Sequence, residues 1–230
     1  MYLAEVAAYG PIMESLDTFT QLPLTLDPTT KAISTTSSTN NPPLASELTT
    51  LNALHRALLS LDSSHPVPPP PVPVNPKRSA AIGKLRDSGN TAYKKSQYPD
   101  ALKFYSLAID MALQRPPWEP AGLVREELAG LYSNRAQTHM ASQSWVEGAV
   151  DAECSVEIKK MGNGKAWFRR GVCLKEMGRL NEAKAWVVEA LEFEQHAQVP
   201  PPQQQVQAQS VEELFKLRDE LDDLIGRKGG

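Results

Sequence analysis

The sequence is poor in the residues that most catalytic and metal chemistry requires. Its 230 residues include two cysteines, Cys154 and Cys173, and four histidines, His55, His65, His139 and His196. Both cysteines fall inside helical patterns, with no CxxC or Cys/His ligand spacing, which suits buried reduced thiols better than a disulfide. The histidines have no ligand-like spacing to one another or to the cysteines, so no metal is expected. There is no GxGxxG, Walker loop or GxSxG, the usual carriers of dinucleotide, phosphate and acyl chemistry. The chain is therefore expected to be non-catalytic and to need no cofactor. Aromatics make up 7% of the chain, and Trp118, Trp145, Trp167 and Trp186 are spread at wide intervals, more simply core than a platform for stacked bases. A net charge of -3 argues against nucleic acid and acidic lipid as partners, so any basic site must be local. No run approaches the ~18 apolar residues of a membrane span. The amino terminus also lacks the charged and apolar regions of a secretory signal, so the expected setting is cytosolic, with any membrane reached through a partner.

What the chain does contain is punctuation. In an amino-terminal region, residues 1–64, Leu22, Leu24 and Leu26 alternate with other residues before the turn chemistry of Asp27-Pro-Thr-Thr and then Lys31-Ala-Ile-Ser, a candidate hairpin. Two strands alone are marginal in water, so they are expected to lean on the next helix or on another protein. Leu44, Leu48, Leu51, Leu54, Leu58 and Leu61 then recur at helical intervals, an amphipathic helix whose apolar stripe needs cover. A proline-rich stretch, residues 65–78, reads as a semi-rigid linker and the domain boundary, with a ligand for a proline-binding module as the less common alternative.

Beyond it, over residues 79–194, the pattern is helical and repetitive. Gly89, Ala101 and Ala108 share their offsets with Gly171, Ala183 and Ala190, the small-residue spacing of a tetratricopeptide repeat, whose paired helices pack closely only where side chains are small. Repeats are placed near Ile82, Ala129 and Gly164, the middle one departing from the pattern with Gly148 and Ser155 at the alanine positions. The first spacing exceeds the ideal of about 34 residues by about thirteen, and the excess is assigned to an insertion, residues 114–124, containing three prolines. Residues 195–209 read as a Pro/Gln linker, and Ser210-Val-Glu-Glu as a capping box opening a capping helix over residues 210–226. The fold class is thus mainly α: a three-repeat solenoid with a capping helix and a small amino-terminal α+β region.

Polar residues on the first helix of each repeat face the concave side. Lys165 and Arg169 stand four apart in the third repeat, a like-charge pair that becomes favourable only where an anion sits. Arg86 and Asn90 are four apart in the first, and Asn134 lies in the second. These five residues resemble the dicarboxylate clamp of chaperone-binding tetratricopeptide domains, which holds the carboxy-terminal Glu-Glu-Val-Asp of cytosolic heat-shock chaperones. Arg86 stands where lysine is usual, which keeps the charge and changes the donor geometry. One turn away, Tyr93, Gln137 and Met140 are candidates for the groove floor, with intrahelix packing the competing reading, favoured for Tyr93.

The layout, with the insertion Gln-Arg-Pro-Pro-Trp-Glu between the first two repeats, resembles the peripheral cytosolic subunits of the fungal Sec accessory complex for post-translational translocation into the endoplasmic reticulum. That resemblance implies a groove that docks DnaK-class chaperones. It also implies an amino-terminal region and insertion, Trp118 included, that contact a small membrane-anchored subunit and stand beside a J-domain membrane subunit. Two other readings stay open: a soluble co-chaperone adaptor with no membrane complex, and a purely structural scaffold subunit.

Overall fold

A computed structural model describes residues 24–35, 42–59, 76–116, 119–197 and 201–228. Contacts divide the chain into two units, Met1–Pro70 and Pro71–Gly230. Leu22, Leu61, Trp118 and most of the proline-rich stretch lie outside the described residues.

In the first unit, β1 (Leu24–Leu26) and β2 (Ile33–Thr35) form an antiparallel hairpin with Thr25 opposite Ser34. The turn follows from its residue types: Asp27 Oδ1 accepts the N–H groups of Thr29 at 2.7 Å and Thr30 at 2.8 Å. Those two donors hold the carboxyl below the usual aspartate range. The helix α1 (Pro42–Leu59) leans on the hairpin, with the Asn52 side chain at the contact. Asn52 accepts the Ile33 N–H at 2.7 Å and donates to the Ile33 carbonyl at 2.8 Å, so a single amide imitates a neighbouring strand. No described residue of α1 is fully buried, and Leu24, Leu26, Leu51 and Leu59 are exposed.

The second unit holds seven helices among the described residues: α2 (Pro76–Lys94), α3 (Tyr98–Leu113), α4 (Ala121–Ala141), α5 (Trp145–Ile158), α6 (Gly164–Glu176), α7 (Leu180–Gln195) and α8 (Pro201–Lys228). They pair in sequence order as α2/α3, α4/α5 and α6/α7, with α8 packed on both α6 and α7. Small residues set the close approach. A Cβ on Gly89 would lie 2.6 Å from the Tyr105 ring, while Ala101, Ala108, Ala183 and Ala190 are fully buried. Within the middle repeat Ala136 takes the glycine position, and Ser155 satisfies its buried hydroxyl on the Ala129 carbonyl at 2.8 Å. The turns repeat as well: Ser96, Gln143 and Gly178 all adopt positive φ at equivalent places. The next N–H then reaches back to Ala92, His139 and Leu174 respectively, at 2.9–3.0 Å, a Schellman-type closure.

Three boundaries differ from the sequence reading. Helix α2 begins at Pro76, inside the stretch read as a linker over residues 65–78. The stretch read as a Pro/Gln linker, residues 195–209, is helical from Pro201, because proline is tolerated in a first turn and the glutamines that follow are good helix formers. Ser210 therefore lies inside α8, where its hydroxyl donates to the Val206 carbonyl at 3.0 Å, and it opens no capping box. Only part of the insertion is irregular, since α4 begins at Ala121. The irregular part is pinned by Arg115, whose guanidinium is almost fully buried among Glu119, Glu127 and the Ser79 hydroxyl.

Candidate functional site

The parallel helices α4, α6 and α8 enclose a cleft of about 420 Å³ lined by Asn134 and Gln137 from α4, Lys165 and Arg169 from α6, and Val206, Gln207 and Ser210 from α8. Helical spacing alone places the α6 pair on one face. Their height is fixed by Glu194 at the end of α7: its Oε1 accepts the Asn163 N–H at 2.8 Å, just before α6 begins. The Asn163 side chain reaches back to the carbonyls of Ser155 and Lys159 at 3.0 and 2.9 Å. The start of α6 is thereby tied to α5 before it and to α7 after it.

Arg169 is the least balanced group in the cleft. Its Nη1 donates to the Ser133 carbonyl at 2.7 Å and also contacts the Ser133 hydroxyl, and its Nη2 donates to Gln137 Oε1 at 2.6 Å. All three acceptors are neutral, and no carboxylate lies within ion-pair distance among the described residues. Burial pushes the guanidinium down to about 10. Lys165 is exposed on the cleft rim, with no hydrogen-bond or ion-pair partner among the described residues.

Asn134 Nδ2 lies 3.4 Å from Asn90 Oδ1, which also accepts the Tyr105 hydroxyl at 2.7 Å. Burial raises that phenol to about 12, so it stays a donor; Asn90 itself does not line the cleft. Arg86 does not line the cleft. It is half-exposed and pairs with Asp87 at 3.2 Å. Of the floor candidates, Gln137 lines the cleft and holds Arg169. Tyr93 instead packs near Tyr98, with ring centroids 5.8 Å apart, and half-buried Met140 is not a lining residue.

Sequence reasoning missed Ser133, Tyr105, Glu194 and the α8 wall. Glu194 is 1% exposed, its Oε2 has no hydrogen-bond partner among the described residues, and burial raises its carboxyl above the usual glutamate range. The signal for the α8 wall was the helix-forming run after Pro201-Pro202.

No protein-family model matches the chain. Its sequence is 36% identical over 126 residues to the ER protein translocation subcomplex subunit sec67 of Schizosaccharomyces pombe, covering 55% of this chain and 65% of that protein. The aligned part thus spans just under two thirds of that relative's length. In structure the chain resembles a chain of the Sec complex of S. cerevisiae, with a TM-score of 0.63 at 20% identity, covering 90% of this chain and 100% of that one. It also resembles the TPR2B domain of yeast Sti1 solved with a pHsp70 partner, with a TM-score of 0.51 at 19% identity, covering 63% and 98%. At these identities the structural likenesses show a shared fold.

Proposed function

We propose that this tetratricopeptide-repeat protein, a relative of the fission yeast translocation subunit, is a non-catalytic adaptor of the endoplasmic-reticulum post-translational translocation complex. Its groove holds the acidic carboxy-terminal tail of cytosolic DnaK-class chaperones and so docks them at the translocon. The observation that carries this reading is the setting of Arg169: a partly buried cation held only by neutral oxygens, beside a Lys165 that has no partner among the described residues. An incoming carboxylate would supply the missing counter-charge through charge-assisted hydrogen bonds. A peptide end carrying an α-carboxylate and an aspartate side chain offers two such anions close together, and the amide of Asn134 adds a neutral donor for its backbone.

A short tail held by a few charges should bind in the micromolar range, about -7 to -8 kcal/mol, with rapid and salt-sensitive release. Such release suits the hand-over of a loaded chaperone. The amino-terminal unit supplies a different kind of surface. The exposed leucines of β1 and α1 suit a lasting apolar contact with the small membrane-anchored subunit or the J-domain subunit, through which the protein would sit on the cytosolic side of the membrane.

The test is a titration of a labelled peptide ending in Glu-Glu-Val-Asp, as free acid and as amide. The amide removes one anion and should bind at least about tenfold more weakly. Equal affinities would overturn the clamp.

A further inference from the structure

The cleft that holds Lys165 and Arg169 also holds a carboxyl without a cation. Glu194, at the end of α7, is 1% exposed and lines the same space, yet makes no ion pair among the described residues. Its Oε1 accepts the Asn163 N–H at 2.8 Å, and its Oε2 has no hydrogen-bond partner among the described residues. A Cβ on Gly164 would lie 3.6 Å from Glu194 Cδ, so the carboxyl is seated against the first residue of α6, directly before Lys165.

The charged groups around it come from every neighbouring element. Just after α5, Lys159 is paired with Glu126 of α4 at 2.8 Å and acts on Glu194 at longer range, and Lys160 is paired with Glu157 at 3.6 Å. On α6 stand Lys165 and Arg169, whereas α4 and α8 line the cleft with uncharged residues alone. Glu213, further along α8, acts on Arg169 without lining the cleft. Beyond α7, the exposed His196 has its Nδ1 2.7 Å from the Glu192 carbonyl oxygen. His139 of α4 faces Asp151 at 3.7 Å and does not line the cleft. Burial is the largest influence on Glu194 and favours its neutral form, against the N–H groups of Asn163 and Gly162.

We infer that Glu194 is a further member of the tail site: when the tail's carboxylates enter beside Lys165 and Arg169, the groove takes up a proton at Glu194, and the neutral acid is the form that binds. The inference rests on the clamp reading, which brings two anions into the cleft. A like charge nearby disfavours an ionised carboxyl, and in a buried setting salt screens that repulsion little. A cleft of about 420 Å³ has walls on the order of 10 Å apart, where two unit charges still couple by about tenfold in affinity at an effective dielectric of about 20. The coupling is reciprocal: a tail that favours the proton is itself bound more tightly by the protonated site. Tail affinity is therefore higher at acidic pH and falls as pH rises through the interval between the titrations of the free and the occupied site. Ionised Glu194 penalises each added negative charge in the cleft, and the proton lifts the penalty.

The experiment is a calorimetric titration of the whole protein with amino-terminally acetylated peptides ending in Glu-Glu-Val-Asp, as free acid and as amide. It is run at about pH 6 in two buffers of different ionisation enthalpy, and again from about pH 5.5 to about pH 8, where the peptide carboxylates stay ionised. Binding of the acid should take up a measurable fraction of one proton, the amide should take up less, and the acid's affinity should fall about three- to tenfold across the range. Glu194→Gln keeps an acceptor for the Asn163 N–H, and should abolish the proton uptake and flatten the pH profile. No uptake in the parent, with the acid still preferred over the amide, would overturn the inference and leave the clamp standing. Uptake that persists in Glu194→Gln would place the proton on another group, such as His139 or His196, and would overturn the inference as well. If the glutamine variant folds poorly, the parent alone decides, because equal uptake with acid and amide overturns the inference. Equal affinity of acid and amide would overturn the clamp reading, and the inference with it.

Discussion

Gly164 at the start of α6 and Ser210 on α8 stand so close that a Cβ on the glycine would lie 2.6 Å from the serine Cβ. That Cβ is rooted in helix backbone and cannot swing aside, so a substituent at residue 164 must move a whole helix. Gly164→Ala should cost about 1–3 kcal/mol of stability by overpacking. It should also weaken tail binding, because Lys165 follows directly. Denaturant unfolding and peptide titration of the same variant check both effects. A variant as stable as the parent would show that α8 can shift freely.

Removal of the α6 charges should act on binding and leave the fold largely intact. Lys165→Ala and Arg169→Ala are each expected to cost about 1 to 3 kcal/mol of tail affinity. Arg169→Lys should not restore the parent value, because a lysine cannot reach Ser133 and Gln137 in the same forked geometry. Arg86→Ala should have the smallest effect, about 0.5 kcal/mol or less, because that side chain is half-exposed and already paired with Asp87. Titrations at two salt concentrations give the ranking. An Arg86 effect as large as that of Lys165 would place the first-repeat cation in the site.

Glu194 gives the protein a pH dependence of definite sign. Burial raises its carboxyl in the folded state, with the backbone N–H groups of Asn163 and Gly162 pulling the other way. The folded chain keeps this proton at pH values where the unfolded chain has released it. Its contribution to stability is therefore fully present below the ordinary glutamate range and is lost as pH rises through the raised folded value. Glu194→Gln keeps an acceptor for the Asn163 N–H and has no charge to lose. Its stability relative to the parent should rise with pH over this interval, measured by urea unfolding between about pH 4 and about pH 8. Parallel curves for the two proteins would count against the buried-carboxyl account.

The insertion should prove as structural as any repeat. Arg115 is the only cation among Glu119, Glu127 and the Ser79 hydroxyl within the described residues, and its side chain is 1% exposed. Arg115→Ala would leave two carboxylates facing each other without a counter-charge, at a cost of about 3–5 kcal/mol. A loss below about 1 kcal/mol in thermal or denaturant unfolding would mean that water reaches the pair.

The repeats were legible because their spacing is a packing requirement. Gly89, Ala101 and Ala108 must be small for α2 and α3 to touch, and the same demand recurs at Gly171, Ala183 and Ala190. Asn134, Lys165 and Arg169 were legible for a related reason: a periodic backbone carries positions on successive helices to one face. The parts that escaped depend on tertiary contacts without period. Glu194 enters the site only because α7 ends beside the start of α6, and Ser133 because Arg169 is long enough to reach across to α4. Arg86 occupied the expected position in the sequence, yet its long side chain found a nearer partner in Asp87. The beginning of α8 was misread because a proline pair usually marks a break, whereas here it opens a helix.

The early turns of α8 bear on how the groove distinguishes its guests. Val206, Gln207 and Ser210 bound the space past Arg169, and Gln207 is anchored to the carbonyls of Glu194 and Ala197 at 2.8 and 3.1 Å. A polypeptide entering along the α6–α8 seam would meet this wall beside Arg169. Under the proposed clamp, shape would join charge in favouring a free terminus over an internal acidic stretch.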